Sequence, residues 1–107
     1  MRGDIHLCDF GDPIGHEQGY RRPAVSVSSS SFAATGLAIV LPVTRTRRGY
    51  ATHVELERPL PVTSYVQCEQ IRLVSTERFI KHVGMVDPMD MERIERVLRL
   101  LLDLSET

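Results

Sequence analysis

The sequence predicts an α+β, mainly β domain, a run of short strands closed by one C-terminal helix. Two observations carry this. Apolar residues alternate with polar ones, or run together in short blocks, from residue 4 to residue 75. After "VDP" at 86–88 the period changes, and Ile94, Val97, Leu98, Leu101 and Leu102 recur at helical spacing. The order of strands before helix selects an α+β or small barrel arrangement.

The elements follow in turn. "DIHLCDF" (4–10) alternates Ile5, Leu7 and Cys8/Phe10 with polar residues, and reads as a strand that enters a turn at "GDPIG". "RPAVSVSS" is a second strand, with Val25 and Val27 on one face and Ala24, Ser26 and Ser28 on the other. Its Pro23 stands at the first position, where no interior ladder bond is lost. "SSSSFAATG" is short and serine-rich, a turn or a single helical turn. "LAIVLPVT" is almost wholly apolar, which predicts burial on both faces. "RTRRGY" makes a basic turn and "ATHVELE" returns as an alternating strand, with His53 on its exposed side. "SYVQCEQIRLVS" reads as one more strand, Val66, Cys68 and Gln70 opposing Tyr65, Gln67 and Glu69. No element is assigned to "TERFIKHVGMV". For the helix, Asp87 is the cap, Pro88 takes the first position and Asp90 adds a carboxylate to the first turn. Arg93, Arg96 and Arg99 form a solvated flank.

Length and composition narrow the function classes. The 107 residues, 42% of them hydrophobic, suit one domain spanning 1–107. Aromatic content is only 6%, with no tryptophan, so a helix as apolar as "RVLRLLLDL" calls for a partner. Net charge is −1, which argues against an overall electrostatic grip on nucleic acid. The distribution says otherwise locally: between Gln18 and Tyr50 there are five arginines and no carboxylate. Cys8 and Cys68 have no metal or redox spacing and read as two reduced, buried thiols of a cytoplasmic protein. "MRGDIHLCDF" lacks the apolar core of a signal peptide, and no window approaches the ~20 apolar residues of a membrane helix.

The loop "GHEQGYRRP" (15–23) concentrates the chemistry. A solvated turn needs only glycine, proline and any polar residues. Here Arg21 and Arg22 are of the type that clamps anions, and His16 and Glu17 of the type that moves protons, together the equipment for a phosphodiester.

The stretches "RGDIHLCDF", "GHEQGYRRPAVSVSS", "IVLPVTRTRRGYATHVEL", "YVQCEQIRLVSTERF" and "VDPMDMERIERVLRLLL" resemble, in the same order, the MazF/PemK toxins of bacterial toxin-antitoxin systems. That resemblance covers almost the whole chain. It implies an SH3-like twisted β-barrel with short helices, a homodimer, sequence-selective endoribonuclease activity and a cognate MazE-like antitoxin. Carried over by position, the arginine of the family's RP pair falls on Arg22 and its strand-end threonine on Thr44. Glu17 and His16 match its EQ glutamate and GHEQ histidine. Arg45, Arg47 and Arg48 of the basic turn read as tracking the backbone of single-stranded RNA, with a solvated hairpin tip as their plainer role, and Arg21, Gln18 and Glu69 complete the expected RNA contacts. Some members carry Arg-Cys-Asp where this chain reads Gln67, Cys68, Glu69, so the arginine is missing there.

RNA supplies its own nucleophile, the ribose 2′-OH, and needs a base, an acid for the leaving 5′-oxygen and positive charge at the developing phosphorane. That chemistry calls for no metal and no cofactor. Arg22 and Thr44 would hold the phosphate, and Glu17 or His16 would serve as base. Each has a plainer role open to it. Arg22 can bridge a surface carboxylate, Thr44 can be simply a β-former, Glu17 can order its loop through backbone N–H groups, and His16 can be a solvated loop residue. Two other functions share the fold: a toxin that binds a protein such as gyrase, and an inactive member that only binds antitoxin.

Overall fold

A computed structural model describes residues 1–17 and 19–105. Seven strands are formed: β1 (Asp4–Asp9), β2 (Arg21–Ser26), β3 (Leu37–Thr44), β4 (His53–Leu56), β5 (Ser64–Gln67), β6 (Arg72–Ser75) and β7 (Phe79–Met85), followed by helix α1 (Pro88–Leu102). They make one antiparallel sheet in the order β4-β5-β3-β2-β1-β7, with β6 paired to β3 off that path. The sheet is barrel-like without closing. The mainly β architecture with a terminal helix is thus as the sequence predicts.

Strand β3 organises the rest. One edge pairs with β2, from Ala24↔Pro42 to Ser26↔Val40. Its other edge takes β6 along residues 37–40 and β5 at Val43 and Thr44. The register moves by three residues between those partners, and the three-residue 3₁₀ turn Cys68–Gln70 absorbs the difference. For this reason the stretch 64–75 is two strands and not the single one its alternation suggests.

The sheet buries both faces. Ile5, Val25, Leu41, Val43, Val54, Leu56, Val66 and Ile94 pack as one cluster beneath the helix; Cys8, Phe10, Ala24, Ala38, Val40 and Val74 pack as another on the opposite face. Alternate residues of β2 and β3 feed the two clusters, so the two-sided burial expected for "LAIVLPVT" is found, and "RPAVSVSS" shares it. Both cysteines are free and buried, and burial pushes their thiols up to about 11 for Cys8 and about 12 for Cys68.

The unassigned stretch before the helix is edge strand β7, paired with β1 through two register irregularities. An edge strand covered on one side needs little apolar alternation, and the bulges break what remains. His6 of β1 stacks on Phe79 with ring centroids 4.4 Å apart and meets His82 edge-on at 5.2 Å. At α1 the punctuation is as read: Asp87 Oδ1 accepts from Met89 N and Asp90 N at 2.9 and 3.0 Å. Only Ile94 of the helix is fully buried, while Leu100, Leu101 and Leu102 stay exposed. No helix among the described residues is long and apolar enough to cross a membrane.

Candidate active site

The ladder between β2 and β3 ends at Ala24↔Pro42, and the same register carried two residues further sets Arg22 opposite Thr44. Because directly opposed residues share a sheet face, these side chains emerge together where the strands part. The row continues across the sheet. Cys8 lies beside Arg22, Tyr65 beside Thr44, and Glu55 beside Tyr65.

Past the ladder's end the strands enclose a cleft of about 350 Å³ lined by Arg21, Arg22, Thr44 and Arg45. Leu7, Pro23 and Val43 supply apolar walls, Leu60, Pro61 and Val62 come from the β4–β5 connection, and Ser64 from the start of β5. That connection carried no signal in the sequence, since Pro and Val in a loop look like any turn. Thr44 is only 6% exposed, and its Oγ1 accepts from Thr46 N at 3.1 Å, which turns the chain sharply after β3. The Arg22 Nε donates to the Gly19 carbonyl at 3.2 Å. This bond fixes the guanidinium against the loop that leads into β2 while its Nη groups remain as donors.

That loop is closed at its neck by Phe10 N to Tyr20 O and Tyr20 N to Gly11 O, at 2.8 and 2.6 Å. Tyr20 adopts φ +61°, a left-handed conformation that costs a non-glycine residue energy and is held here by those two bonds. Glu17 Oε1 accepts from Ile14 N at 3.1 Å, so its carboxylate does order the loop. His16 is exposed, and its carbonyl accepts from Gln70 Nε2 at 3.2 Å. Among the described residues lining the cleft, neither of these two is found. Gln18 lies outside the described residues.

The other expected contacts group elsewhere. Strands β3 and β4 run parallel on either side of β5, so the connection 45–52 crosses from one end of β5 to the other. The core fills the Val66 face, so the crossing runs over the face of Tyr65 and Gln67. Arg47 and Arg48 are exposed on it. Its far end is tied down: Glu69 accepts from the Thr52 hydroxyl at 2.7 Å and from His53 Nε2 at 2.9 Å. Burial alone would raise the Glu69 pKa, but these two hydrogen bonds and the His53 charge hold it below the ordinary carboxylate value. The His53 side chain is 3% exposed, against the exposed position its strand alternation suggests. A crossing connection, invisible to alternation, covers that face.

The sequence and its fold have known counterparts. The family model for the "PemK-like, MazF-like toxin of type II toxin-antitoxin system" matches residues 1–102. "Endoribonuclease MazF9" of Mycobacterium tuberculosis is 34% identical over 96% of each chain. The crystal structure of MazF from Deinococcus radiodurans superposes with a TM-score of 0.87 at 29% identity, covering 95% of this chain and 94% of that one. An endoribonuclease from a mycobacterial species, solved in complex with its cognate antitoxin, matches with a TM-score of 0.84 at 26% identity over 100% and 98% of the chains. With the family model matched over residues 1–102 and the fold in common, this chain belongs to the family of PemK-like, MazF-like toxins of type II toxin-antitoxin systems.

Proposed function

We propose that this protein is an endoribonuclease toxin that cuts single-stranded RNA by attack of the ribose 2′-OH, leaving a 2′,3′-cyclic phosphate and a 5′-hydroxyl. The observation that carries the reading is the meeting of Arg22 and Thr44 in one open cleft, with Arg21 and Arg45 beside them. Arg22 holds two non-bridging oxygens through its Nη groups, and Thr44 donates its hydroxyl to the same phosphate, the Thr46 N–H leaving that donor free. Fixed donors aimed at developing charge are worth roughly 10²–10³ in rate each. Glu17 or His16, on the loop that fixes Arg22, serves as base once RNA is bound, and no metal takes part. Family membership and the endoribonuclease names of the relatives support the endoribonuclease part of this reading.

The exposed leucines of α1 support a homodimer, which would remove them from water. In the cytoplasm a cognate MazE-like antitoxin restrains the enzyme, its acidic, partly disordered segment competing with RNA for the arginines. Purified protein incubated with a long RNA in EDTA tests the function: discrete fragments with 5′-hydroxyl ends support it. Intact RNA would instead favour a protein-binding toxin of the same fold or an inactive, antitoxin-binding member.

A further inference from the structure

The connection 45–52 interleaves cations with one large ring. Arg45, Arg47 and Arg48 precede Gly49, whose φ of +72° turns the chain, and Tyr50 follows with 55% of its surface exposed. A solvated hairpin tip would leave such a ring loose. Here it is buttressed. Tyr50 meets the His53 ring edge-on, with centroids 5.0 Å apart and planes at 63°. His53 is in turn held by Glu69, and Glu69 also takes the Thr52 hydroxyl. Backbone bonds from His53 N to Tyr50 O and from Cys68 N to Thr52 O close the turn at 3.1 and 3.2 Å. At the other end, Thr44 accepts from Thr46 N. Both ends of the arginine-bearing segment are therefore fixed, and the exposed aromatic ring belongs to the fixed part.

We propose that Tyr50 is a pre-organised stacking platform for one unpaired nucleobase of the RNA, with Thr52, His53 and Glu69 as its positioning residues. An aromatic ring beside arginines is how single strands are held without base pairing: the cations follow the phosphates and the ring takes a base face. Fixing the ring beforehand removes an ordering cost from binding. Glu69 thus acts through His53 on Tyr50, and does not itself touch RNA. The inference rests on the nuclease reading above and adds a site some distance along the sheet from Arg22 and Thr44. Thr44 on β3 and His53 on β4, the residue that holds the Tyr50 ring, are separated by β5, about two strand spacings or ~10 Å, and Arg22 on β2 lies one spacing further.

The test uses a 2′-O-methyl RNA of mixed sequence, which lacks the attacking hydroxyl, labelled at its 5′ end and titrated by anisotropy at several salt concentrations. Tyr50→Leu weakens binding roughly 5- to 150-fold at every salt, and Tyr50→Phe restores it to within about twofold. The salt slope stays unchanged in both, whereas Arg47→Ala lowers it by about 0.7. A second measurement alters the RNA. Moving an abasic spacer along the RNA should find one position whose loss costs wild type that same factor and costs Tyr50→Leu nothing. Tyr50→Leu binding like wild type, a changed salt slope, or no abasic position coupled to Tyr50 overturns the inference while leaving the nuclease reading intact. Wild type that neither binds this RNA nor cuts unmodified RNA overturns both.

Discussion

Replacing Gly19 by alanine puts a methyl group 2.4 Å from Pro13 Cδ and 2.7 Å from Pro13 N. Ordinary contact begins about 1 Å further out, and Pro13 has no flexible side-chain end to swing away. One strand of the loop neck must therefore shift by about that distance. The carbonyl of Gly19 is the acceptor for Arg22 Nε, so the shift is delivered to the guanidinium in the cleft. Overpacking of this kind costs roughly 1–3 kcal/mol of stability. A displacement of ~1 Å at a group that must meet a transition state costs on the order of 10²-fold in rate. The assay pairs a thermal melt with kcat/KM on a fluorogenic RNA. The outcome expected is a modest fall in Tm with a fall of about 100-fold in kcat/KM, mostly in kcat. Wild-type kcat/KM in a folded Gly19→Ala protein would refute the coupling between loop and cleft.

Three further outcomes follow from the same geometry. Thr44→Ala leaves Thr46 N without its acceptor, a loss of about 1 kcal/mol, yet its cleavage rate should fall by roughly 10²–10³; a rate loss no larger than the stability loss would reduce Thr44 to a turn-former. His6 is held below its ordinary pKa of 6.5 by burial and by the charge of His82. The folded state thus prefers the neutral ring, and His6's contribution is complete above about pH 6.5 and declines as pH falls below it. His6→Phe should flatten the melting temperature between about pH 7 and pH 5.5, and an unchanged slope there would place the titration elsewhere. Ile94→Ala empties the one fully buried position of α1 and should cost about 2–5 kcal/mol in denaturant unfolding; a cost under about 1 kcal/mol would mean the helix is not anchored through it.

Much of the fold is readable because local and global signals agree. Asp87-Pro88 starts α1 where capping chemistry says it should, and the apolar run of β3 is buried on both faces. The misreadings share a cause. Cys68–Gln70 breaks an alternating stretch because β3 changes partner there, and β7 is an edge strand with bulges; both facts concern pairing between distant segments, which a local pattern does not carry. The site divides in the same way. Arg21, Arg22, Thr44 and Arg45 reach one cleft because the β2–β3 register places them there. His53 reads as exposed because the connection that buries it is a loop, and a loop's path leaves no periodic trace. Its partner Glu69 stands seventeen residues from Thr52, so only the fold brings them together.

The central claim is that the Arg22 guanidinium, fixed by the loop, stabilises the phosphorane in a reaction without metal. Single-turnover cleavage of one RNA in EDTA, by wild type, Arg22→Lys and Arg22→Ala proteins of matched melting temperature, tests it most directly. Wild type should cleave discretely, Arg22→Ala should lose roughly 10²–10³ in rate, and Arg22→Lys should rescue poorly, since an ammonium lacks the planar fork. Cleavage by Arg22→Ala at the wild-type rate, or a wild-type reaction abolished by EDTA, would contradict it.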